Sequence, residues 1–258
     1  RGTMVRRERA LSPDADSGLA AENMWSARQF VSIGAGNMGC VYGGRLARIG
    51  AQVAFIDLWQ EHVDRINACG LRFEEPEGDF VVRATATTKP EDAPSADVVL
   101  ISVNSYSTGE AAETAKRVLK TGGCCLTIQN GVGNVEVLGE ALGPGRVLAG
   151  LSFQSGDLAG AGWIRHTNHG PTYMGELDRS QTARLDQLAA LFGQAGLNPV
   201  LVDDIVATIW AKFVYNCGIN AICALTGLRP GHIQDVPDLE QFQSAIIEEA
   251  VALVHAKG

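Results

Sequence analysis

The chain has 258 residues, of which 46% are hydrophobic and 19% charged, a composition typical of a globular protein that can bury a core. Because 21 lysines and arginines face 29 aspartates and glutamates, the net charge is −8, which argues against nucleic acids and anionic membrane surfaces as partners. No apolar run approaches the roughly 18 residues of a membrane span, and the six cysteines lack zinc-like spacing, so we expect a cytoplasmic protein with reduced thiols.

The first part of the chain is predicted to be a flexible tail followed by the start of a parallel sheet. Residues 1–28 mix arginines with acidic residues and contain no apolar segment of the kind found in secretory signals. The apolar pattern then predicts a strand at 29–33, a glycine-rich turn leading into a helix that ends at Ile49, and a strand at 52–57. Strand–turn–helix–strand units form parallel sheets through right-handed crossovers.

The middle of the chain continues the sheet, and the remainder is helical. A turn-rich stretch at 74–79 separates two short apolar segments and predicts a hairpin. Further strands are predicted at 97–103, 124–129, 147–154 and 172–176, and helices at about 109–120 and 180–195. We therefore predict an α/β fold, with a Rossmann-type doubly wound sheet over residues 29–202 and the start of an all-α substrate or dimerisation domain over residues 203–258.

The last predicted helix has an apolar face with no later element to cover it. Between Asp238 and Lys257 the residues at helical spacing are apolar, namely Phe242, Ile246, Ile247, Ala250, Val251 and Val254. Either this helix packs on a partner chain, as in a homodimer formed through the helical domain, or the helical domain is truncated.

A glycine-rich turn after the first strand has the pattern GxGxxG, formed by Gly34, Ala35, Gly36, Asn37, Met38 and Gly39. The first glycine permits a tight turn, the second lets backbone N–H groups approach a pyrophosphate, and the third lets the helix pack closely on the strand. The helix N-terminus offers N–H donors and the positive end of its dipole to the phosphates. The position between a strand and a helix favours a bound dinucleotide over an ordinary tight turn.

Asp57 ends the second strand, 18 residues past Gly39, where an acidic side chain accepts hydrogen bonds from the ribose hydroxyls of adenosine. Its carboxylate would repel a 2′-phosphate, and the following Leu58, Trp59 and Gln60 supply no cation to bind one. The alternative is an ordinary polar residue that closes a strand. We predict NADH rather than NADPH as the cofactor.

The segment from Ile209 to Leu225 is apolar on nearly every face, which predicts a buried helix. Lys212, Asn216 and Asn220 interrupt it at positions i, i+4 and i+8, so the three polar side chains lie along one stripe. Buried polar groups are costly unless they are hydrogen-bonded. The stripe therefore predicts either a polar cleft, in which the pKa of the lysine is lowered towards the range of acid–base catalysis, or a structural network bonded to backbone and water.

Other polar residues give weaker signals. Asn130, in a QNG sequence, and Asn104 each follow a predicted sheet strand, where open α/β sheets bind ligands, although turn chemistry alone also explains an Asn-Gly pair. The five histidines show no ligand-spaced pair on a clear helix, so no metal site is predicted. The adjacent Cys124 and Cys125 fall in a core strand and are expected to be inert.

These residues together resemble the ketopantoate reductase family, the 2-dehydropantoate 2-reductases, from about residue 29 to the end. The resemblance rests on GAGNMG at 34–39, QNG at 129–131 and IWAKFVYNCGIN at 209–220. It implies an NAD(P)H-dependent oxidoreductase that passes a hydride to the C2 ketone of a small branched 2-oxo acid. It further implies that Lys212 is the general acid and that Asn216 and Asn220 bind the substrate's oxygens. Asn130 would then lie where cofactor and substrate meet.

Three features depart from the family pattern. The family commonly has a lysine where this chain has Asn104, in contact with cofactor and substrate, and asparagine lacks that charge. The family usually prefers NADPH and has a basic residue close to the position of Asp57, which is absent here. Its helical domain also continues with helices that supply a serine and a glutamate to the substrate site. This chain ends before them, so as a whole molecule it would be expected to have very low activity.

The leading hypothesis is thus an NADH-dependent reductase acting on ketopantoate or a close analogue. The alternatives are a related dehydrogenase of the opine or glycerol-3-phosphate type and a dinucleotide-binding protein without catalysis. The lysine–asparagine helix favours the first hypothesis, whereas Asn104 and the missing helices favour the last.

Overall fold

Within residues 28–257, which the computed structural model describes, ten strands join in one mixed sheet. They are β1 (Gln29–Ile33), β2 (Gln52–Ile56), β3 (Leu71–Glu74), β4 (Phe80–Val82), β5 (Thr85–Thr87), β6 (Ala96–Ile101), β7 (Leu119–Thr127), β8 (Val147–Gly160), β9 (Trp163–Glu176) and β10 (Pro199–Leu201). Their order across the sheet is β4-β3-β9-β8-β7-β6-β1-β2-β5, with β10 beside β9. The predicted flexible tail, apart from Arg28, lies outside the described residues.

The same part of the chain forms seven α-helices. They are α1 (Asn37–Arg48), α2 (Gln60–Cys69), α3 (Thr108–Val118), α4 (Asn134–Leu142), α5 (Ala183–Gln194), α6 (Ile205–Thr226) and α7 (Pro237–Lys257). Strands and helices are interspersed up to Leu201, and only helices follow among the described residues. This order confirms the predicted plan of an α/β sheet followed by a helical segment.

Six neighbouring strands, in the order β8-β7-β6-β1-β2-β5, run parallel to one another. The strand order reverses at β1, because the chain passes from β1 to β2 on one side and later returns to β6 on the other. Open α/β sheets bind ligands at the carboxyl ends of the strands at such a reversal. The parallel strands therefore confirm the predicted doubly wound sheet and identify the carboxyl edge, at which sheets of this kind bind ligands.

The core lies on both faces of this sheet. Successive residues of a strand point to opposite faces, so Phe30 belongs to one buried cluster and Val31 to the other. Helices α1 and α5 contribute Tyr42 and Phe192 to the first cluster, and α3 contributes Ala115 to the second. The sheet is thus the middle of three layers.

The antiparallel edge of the sheet is larger than the sequence predicts. β8 and β9 have 14 residues each and pair antiparallel, whereas the predicted strands at 147–154 and 172–176 cover only parts of them. Beyond Gln154 alternate residues of β8 are exposed, so the apolar signal is weak there. The predicted hairpin is present as β3 and β4, and it extends the sheet beside β9.

The described residues divide into two compact units. One consists of residues 28–129 and 133–205 and contains the sheet with α1 to α5. The other consists of residues 206–257 together with Asn130–Val132. The sequence places the start of the helical part at residue 203 and does not place Asn130–Val132 in it.

Helix α6 is not buried, contrary to the prediction. Three of its 22 residues are buried, namely Ile205, Gly218 and Ile222. Leu225, by contrast, is 86% exposed. An all-round apolar helix is buried only where neighbours cover each face. In the helical unit α7 covers one face, where a Cβ on Gly218 would lie 2.9 Å from the side chain of Ile247.

By length and composition alone, α6 is apolar enough to cross a membrane, with a mean hydropathy of 1.3. The sequence predicts no such segment, because no apolar run approaches the roughly 18 residues of a membrane span. Core helices of soluble proteins pass the same criterion, so this property does not by itself show membrane insertion.

Candidate functional site

The glycine-rich turn lies at the carboxyl end of β1, and its three glycines have different surroundings. Gly34 has a φ of +92°, and its N–H donates to the carbonyl of Ile56 at 2.8 Å. Gly39 leaves no room for a side chain, because a Cβ there would lie 1.9 Å from the Gly34 carbonyl oxygen. Gly36 faces open space, with nothing within 4 Å of a Cβ built on it. A pyrophosphate can approach the backbone at Gly36, so the turn fits a dinucleotide.

Helix α1 begins directly after Gly36 with no side-chain cap and no acidic residue in its first turn. The N–H groups of Asn37, Met38 and Gly39 have no carbonyl partner within the helix. The Asn37 side chain accepts a hydrogen bond from the Leu158 N–H at 2.9 Å instead of capping the helix. The helix N-terminus therefore presents N–H donors and a positive dipole end that suit an anion.

Two buried side chains that the sequence analysis did not single out support this turn. Cys40 Sγ donates to the carbonyl of Ala35 at 3.0 Å and lies 3.5 Å from Nε2 of His62. His62 Nδ1 accepts from the Gly162 N–H at 2.9 Å, so the neutral ring carries its proton on Nε2, facing the thiol. Burial raises the pKa of Cys40 and lowers the pKa of His62. Both groups are therefore neutral near pH 7 and stabilise the turn. No local sequence pattern marks this pair.

Asp57 lies directly after β2, and its carboxylate is hydrogen-bonded to the glycine-rich turn. Oδ2 accepts from the Ala35 N–H at 2.6 Å, and Oδ1 accepts from the Trp59 N–H at 3.0 Å. An ionised carboxylate has about four lone-pair sites. Each oxygen of Asp57 therefore retains the capacity to accept a second hydrogen bond, such as one from a ribose hydroxyl.

Asn104 and Asn130 follow the neighbouring parallel strands β6 and β7, and both are exposed. Nδ2 of Asn104 donates to the hydroxyl of Tyr106 at 2.8 Å. A Cβ on Gly34 would lie 3.1 Å from the backbone of Ser102, so Asn104 follows β6 at the same carboxyl edge of the sheet as the glycine-rich turn. Asn130 groups with the helical unit.

In the helical unit, Lys212, Asn216 and Asn220 lie on the single continuous helix α6, and their spacing places them on one face. Lys212 and Asn216 are half-buried, and Asn220 is exposed. Burial lowers the pKa of Lys212 from 10.5 to about 8. An amine with this pKa is still mostly protonated at pH 7 and gives up its proton more readily than an ordinary lysine.

One further cluster could hold a metal ion by geometry, although the sequence predicts no metal site. The ligand atoms of Glu75, His166 and His169 lie within 4.8 Å of one another. Nη2 of Arg45, on α1, lies 2.6 Å from Glu75 Oε1 and 3.3 and 3.1 Å from Nδ1 of His166 and His169. The guanidinium already supplies a cation at this position, and a metal ion would have to displace it. The absence of a metal site therefore stays a prediction.

This cluster predicts a pH-dependent stability. Burial lowers the pKa of His166, and His169 and Arg45 lower it further, against an opposing effect of Glu75. At a pH below 6.5, the ordinary pKa of histidine, His166 therefore binds a proton in the unfolded chain but not in the native state. The free energy of unfolding should then fall as the pH is lowered from about 7 to 5. The slope for one such proton is at most about 1.4 kcal/mol per pH unit.

Urea unfolding at several pH values measures this slope. The variant His166→Gln is expected to show a shallower slope than the wild type, because the titrating group is gone. The control His232→Gln removes a histidine whose side chain is 62% exposed and should keep the wild-type slope. Equal slopes in all three proteins would contradict the prediction.

Two family models match the chain. The model "Ketopantoate reductase PanE/ApbA" matches residues 30–179, and "Ketopantoate reductase PanE/ApbA C terminal" matches residues 204–258. The first match covers more than half of the chain and includes the glycine-rich turn and Asp57. The second includes the polar stripe of α6.

Named relatives agree with these matches. The 2-dehydropantoate 2-reductase of Halobacterium salinarum is 32% identical over 226 residues, which cover 87% of this chain and 74% of the relative. The 2-dehydropantoate 2-reductase of Pyrococcus abyssi is 30% identical over 227 residues, which cover 88% of this chain and 73% of the relative. The crystal structure of a PanE/ApbA family ketopantoate reductase from Ralstonia eutropha is 34% identical, with a TM-score of 0.81 over 89% of this chain and 75% of that chain. The chain therefore belongs to the ketopantoate reductase family of oxidoreductases.

Proposed function

We propose that this chain reduces 2-dehydropantoate to pantoate, a step of pantothenate biosynthesis, with a hydride taken from a nicotinamide dinucleotide. The observation that carries the proposal is the half-buried Lys212, whose pKa is lowered to about 8, on one helical face with two amides. The relatives that match most of the chain are named 2-dehydropantoate 2-reductases. Their names favour this substrate over those of opine or glycerol-3-phosphate dehydrogenases.

The residues of the polar stripe take separate roles in this proposal. The bound nicotinamide supplies the hydride for C2 of the ketone. Lys212 donates a proton to the ketone oxygen, and its positive charge polarises the C=O bond beforehand. Asn216 and Asn220 bind the substrate's oxygens through their amide N–H groups.

The dinucleotide is assigned to the part of the chain before residue 203. The backbone of Gly34, Ala35, Gly36, Asn37, Met38 and Gly39 would bind the pyrophosphate, supported by the open space at Gly36 and the uncapped start of α1. Asp57 would accept hydrogen bonds from the ribose, while Asn104 and Asn130 would bind the nicotinamide end. Residues 29–202 then form the cofactor domain and residues 203–258 the substrate domain.

The family is one of NADPH-dependent reductases, and we propose that this chain departs from it by preferring NADH. The carboxylate of Asp57 is hydrogen-bonded to the Ala35 N–H, which supports a fixed negative charge beside the proposed site of the adenosine ribose. The negative charge of Asp57 would repel the negative charge of a 2′-phosphate on that ribose. The exposed Leu58 next to it offers no compensating cation.

The variant Asp57→Asn is expected to shift the ratio of NADPH to NADH affinity towards NADPH by about tenfold, equivalent to about 1.4 kcal/mol, because it removes the charge at nearly constant shape. Fluorescence titration with both dinucleotides measures the two Kd values. Asp64→Asn, which neutralises an exposed acid on α2, is the control and should leave the ratio unchanged. A wild-type protein that binds NADPH more tightly than NADH would overturn the proposed preference.

Partners and location form part of the same proposal. The net charge of −8 supports a cytoplasmic enzyme that acts on a small 2-oxo acid and binds neither nucleic acid nor membranes. Helix α7 exposes Phe242 and Leu253, at 55% and 46%, which supports a homodimer through the helical unit. Sedimentation velocity tests the dimer, and a purely monomeric protein at micromolar concentration would contradict it.

The proposed reaction is tested by following nicotinamide absorbance with a panel of substrates. We expect kcat/KM for ketopantoate to exceed that for dihydroxyacetone phosphate, or for pyruvate with an amino acid, by at least about 100-fold. A faster reaction with dihydroxyacetone phosphate would favour the glycerol-3-phosphate type. A faster reductive coupling of pyruvate would favour the opine type.

A further inference from the structure

The side chain of Gln129 connects the ends of two neighbouring strands. Its Nε2 donates to the carbonyl of Val103 at 2.8 Å and to the hydroxyl of Thr108 at 2.9 Å, and its Oε1 accepts from the hydroxyl of Thr127 at 2.9 Å. Because a backbone carbonyl can only accept, the contact with Val103 identifies the Nε2 end of the amide. Gln129 is 9% exposed, and both of its side-chain N–H groups are used.

The residues that Gln129 joins adjoin the two candidate asparagines. Val103 directly precedes Asn104, and Gln129 itself directly precedes Asn130. β6 and β7 are parallel neighbours that pair up to their last residues, so both loops leave the sheet at its carboxyl edge. That edge is where open α/β sheets bind ligands.

The same hydrogen bonds reach the first residues of two helices. Thr108 begins α3, and its hydroxyl lies 2.8 Å from the Ser105 carbonyl and 2.9 Å from Oδ1 of Asn134. Asn134 begins α4 and is 5% exposed. A displaced Gln129 amide would deprive the Val103 carbonyl and the Thr108 hydroxyl of the N–H donor that they share, which is unfavourable. The loops after β6 and β7 are therefore coupled through this one side chain.

We infer that Gln129 is a positioning residue for the reduction, which acts by fixing the ends of β6 and β7 from which the segments carrying Asn104 and Asn130 leave the sheet. The inference rests on the proposed function, because it gives these two asparagines a role at the nicotinamide. Reaction rates depend steeply on such placement, since a displacement of about 1 Å can cost about 100-fold in rate.

Gln154 offers a matched control in the same unit. Its Nε2 donates to the carbonyls of Gly170 and Leu197 at 2.5 and 3.2 Å, and its Oε1 accepts from Nε2 of His166 at 2.8 Å. It is 5% exposed, so its burial and its hydrogen bonds resemble those of Gln129. Its partners lie on β9 and after α5, not at the carboxyl edge of β6 and β7.

The experiment compares Gln129→Met with Gln154→Met in the full chain. Both should lower Tm, because each removes an amide donor from two carbonyl or hydroxyl oxygens. Only Gln129→Met is expected to lower kcat with ketopantoate, by about tenfold or more, with the dinucleotide Kd within about threefold of wild type. Hydrogen exchange measured by mass spectrometry should become faster at residues 103–107 and 130–133 in Gln129→Met alone.

Two outcomes would overturn the inference. One is an equal loss of kcat in both glutamine variants, which would mark a general effect of stability. The other is an unchanged kcat and unchanged exchange in Gln129→Met. If Gln129→Met does not fold, Thr108→Val and Thr108→Ser replace it. The valine removes the hydroxyl and should reproduce the loss, whereas the serine keeps it and should restore wild-type kcat.

The two glutamine variants and the wild type together distinguish a failure of this inference from a failure of the proposed function. A wild-type protein that does not reduce ketopantoate would refute the proposed function. Faster exchange in both loops of Gln129→Met, but not of Gln154→Met, would then still show that Gln129 holds the two loops, whereas its role in the reduction would fall with the proposed function. Ketopantoate turnover with no difference between the two glutamine variants would leave the proposed function intact and refute the inference.

Discussion

Replacing Lys212 with alanine is expected to lower kcat for ketopantoate reduction by about 1,000-fold, within the range that a positioned general acid contributes. The dinucleotide Kd should change by less than about twofold, because glycine-turn residues rather than α6 are proposed to bind the cofactor. Steady-state kinetics and fluorescence titration give the two quantities. A kcat within about threefold of wild type would exclude Lys212 as the proton donor.

Two further variants identify what Lys212 contributes. Lys212→Arg keeps the positive charge, but a guanidinium does not release its proton in proteins. We therefore expect this variant to retain substrate affinity and to lose most of kcat. Lys116→Ala removes an exposed lysine from α3 and should leave both constants unchanged.

The pH profile provides an independent measure of the same group. Burial lowers the pKa of Lys212 to about 8, and reduction needs the protonated amine. The rate of reduction should therefore fall as the pH rises through about 8, whereas oxidation of pantoate, which needs the neutral amine, should rise through the same pH. Profiles that change in the same direction for both reactions would contradict this assignment.

Substitutions at two glycines of the turn should separate cofactor binding from folding. Gly36→Ser is expected to weaken dinucleotide binding by at least about tenfold, because a serine at this N-cap position accepts from the N–H groups that the pyrophosphate needs. Its side chain also enters the open space at Gly36. Tm should stay within about 2 °C of wild type, since serine is a favourable N-cap and φ at this position is −69°.

Gly39→Ala is expected to act on folding instead. Its Cβ would lie 1.9 Å from the Gly34 carbonyl oxygen, so the backbone itself must move. Overpacking of this kind costs about 3 kcal/mol or more and should lower Tm by roughly 6 °C or more. Differential scanning calorimetry and dinucleotide titration of both variants measure the contrast. A Gly36→Ser protein that binds the dinucleotide normally would refute the assignment of the pyrophosphate to this turn.

Local patterns account for the parts of the fold that were predicted correctly. The strands β1, β2, β6 and β7 and the helices α1 and α3 follow from apolar periodicity, which depends only on neighbouring residues, whereas α2 and β5 were not predicted. The glycine-rich turn is visible because its backbone chemistry needs glycine at particular spacings. The alignment of Lys212, Asn216 and Asn220 on α6 follows from helix geometry alone.

Long-range contacts account for what was missed. The distal halves of β8 and β9 form because they pair with each other, although their exposed residues give little apolar signal. The burial of α6 was overestimated because composition does not reveal which faces have neighbours. Arg45 contacts His166, which lies 121 positions later in the chain, and no local pattern indicates such a pairing.

The sequence by itself determined the fold class, the glycine-rich turn between β1 and α1, the acidic residue after β2 and the polar stripe, because each depends on residues close together along the chain. Only the tertiary structure decided that Asp57 is anchored to the Ala35 N–H, that Cys40 and His62 support the turn, and that Gln129 couples two loops. These contacts join residues 22 to 26 positions apart, and their formation depends on which strands lie side by side. The physical reason is that periodicity reports local geometry, whereas hydrogen-bond partners are selected by the packing of the whole sheet.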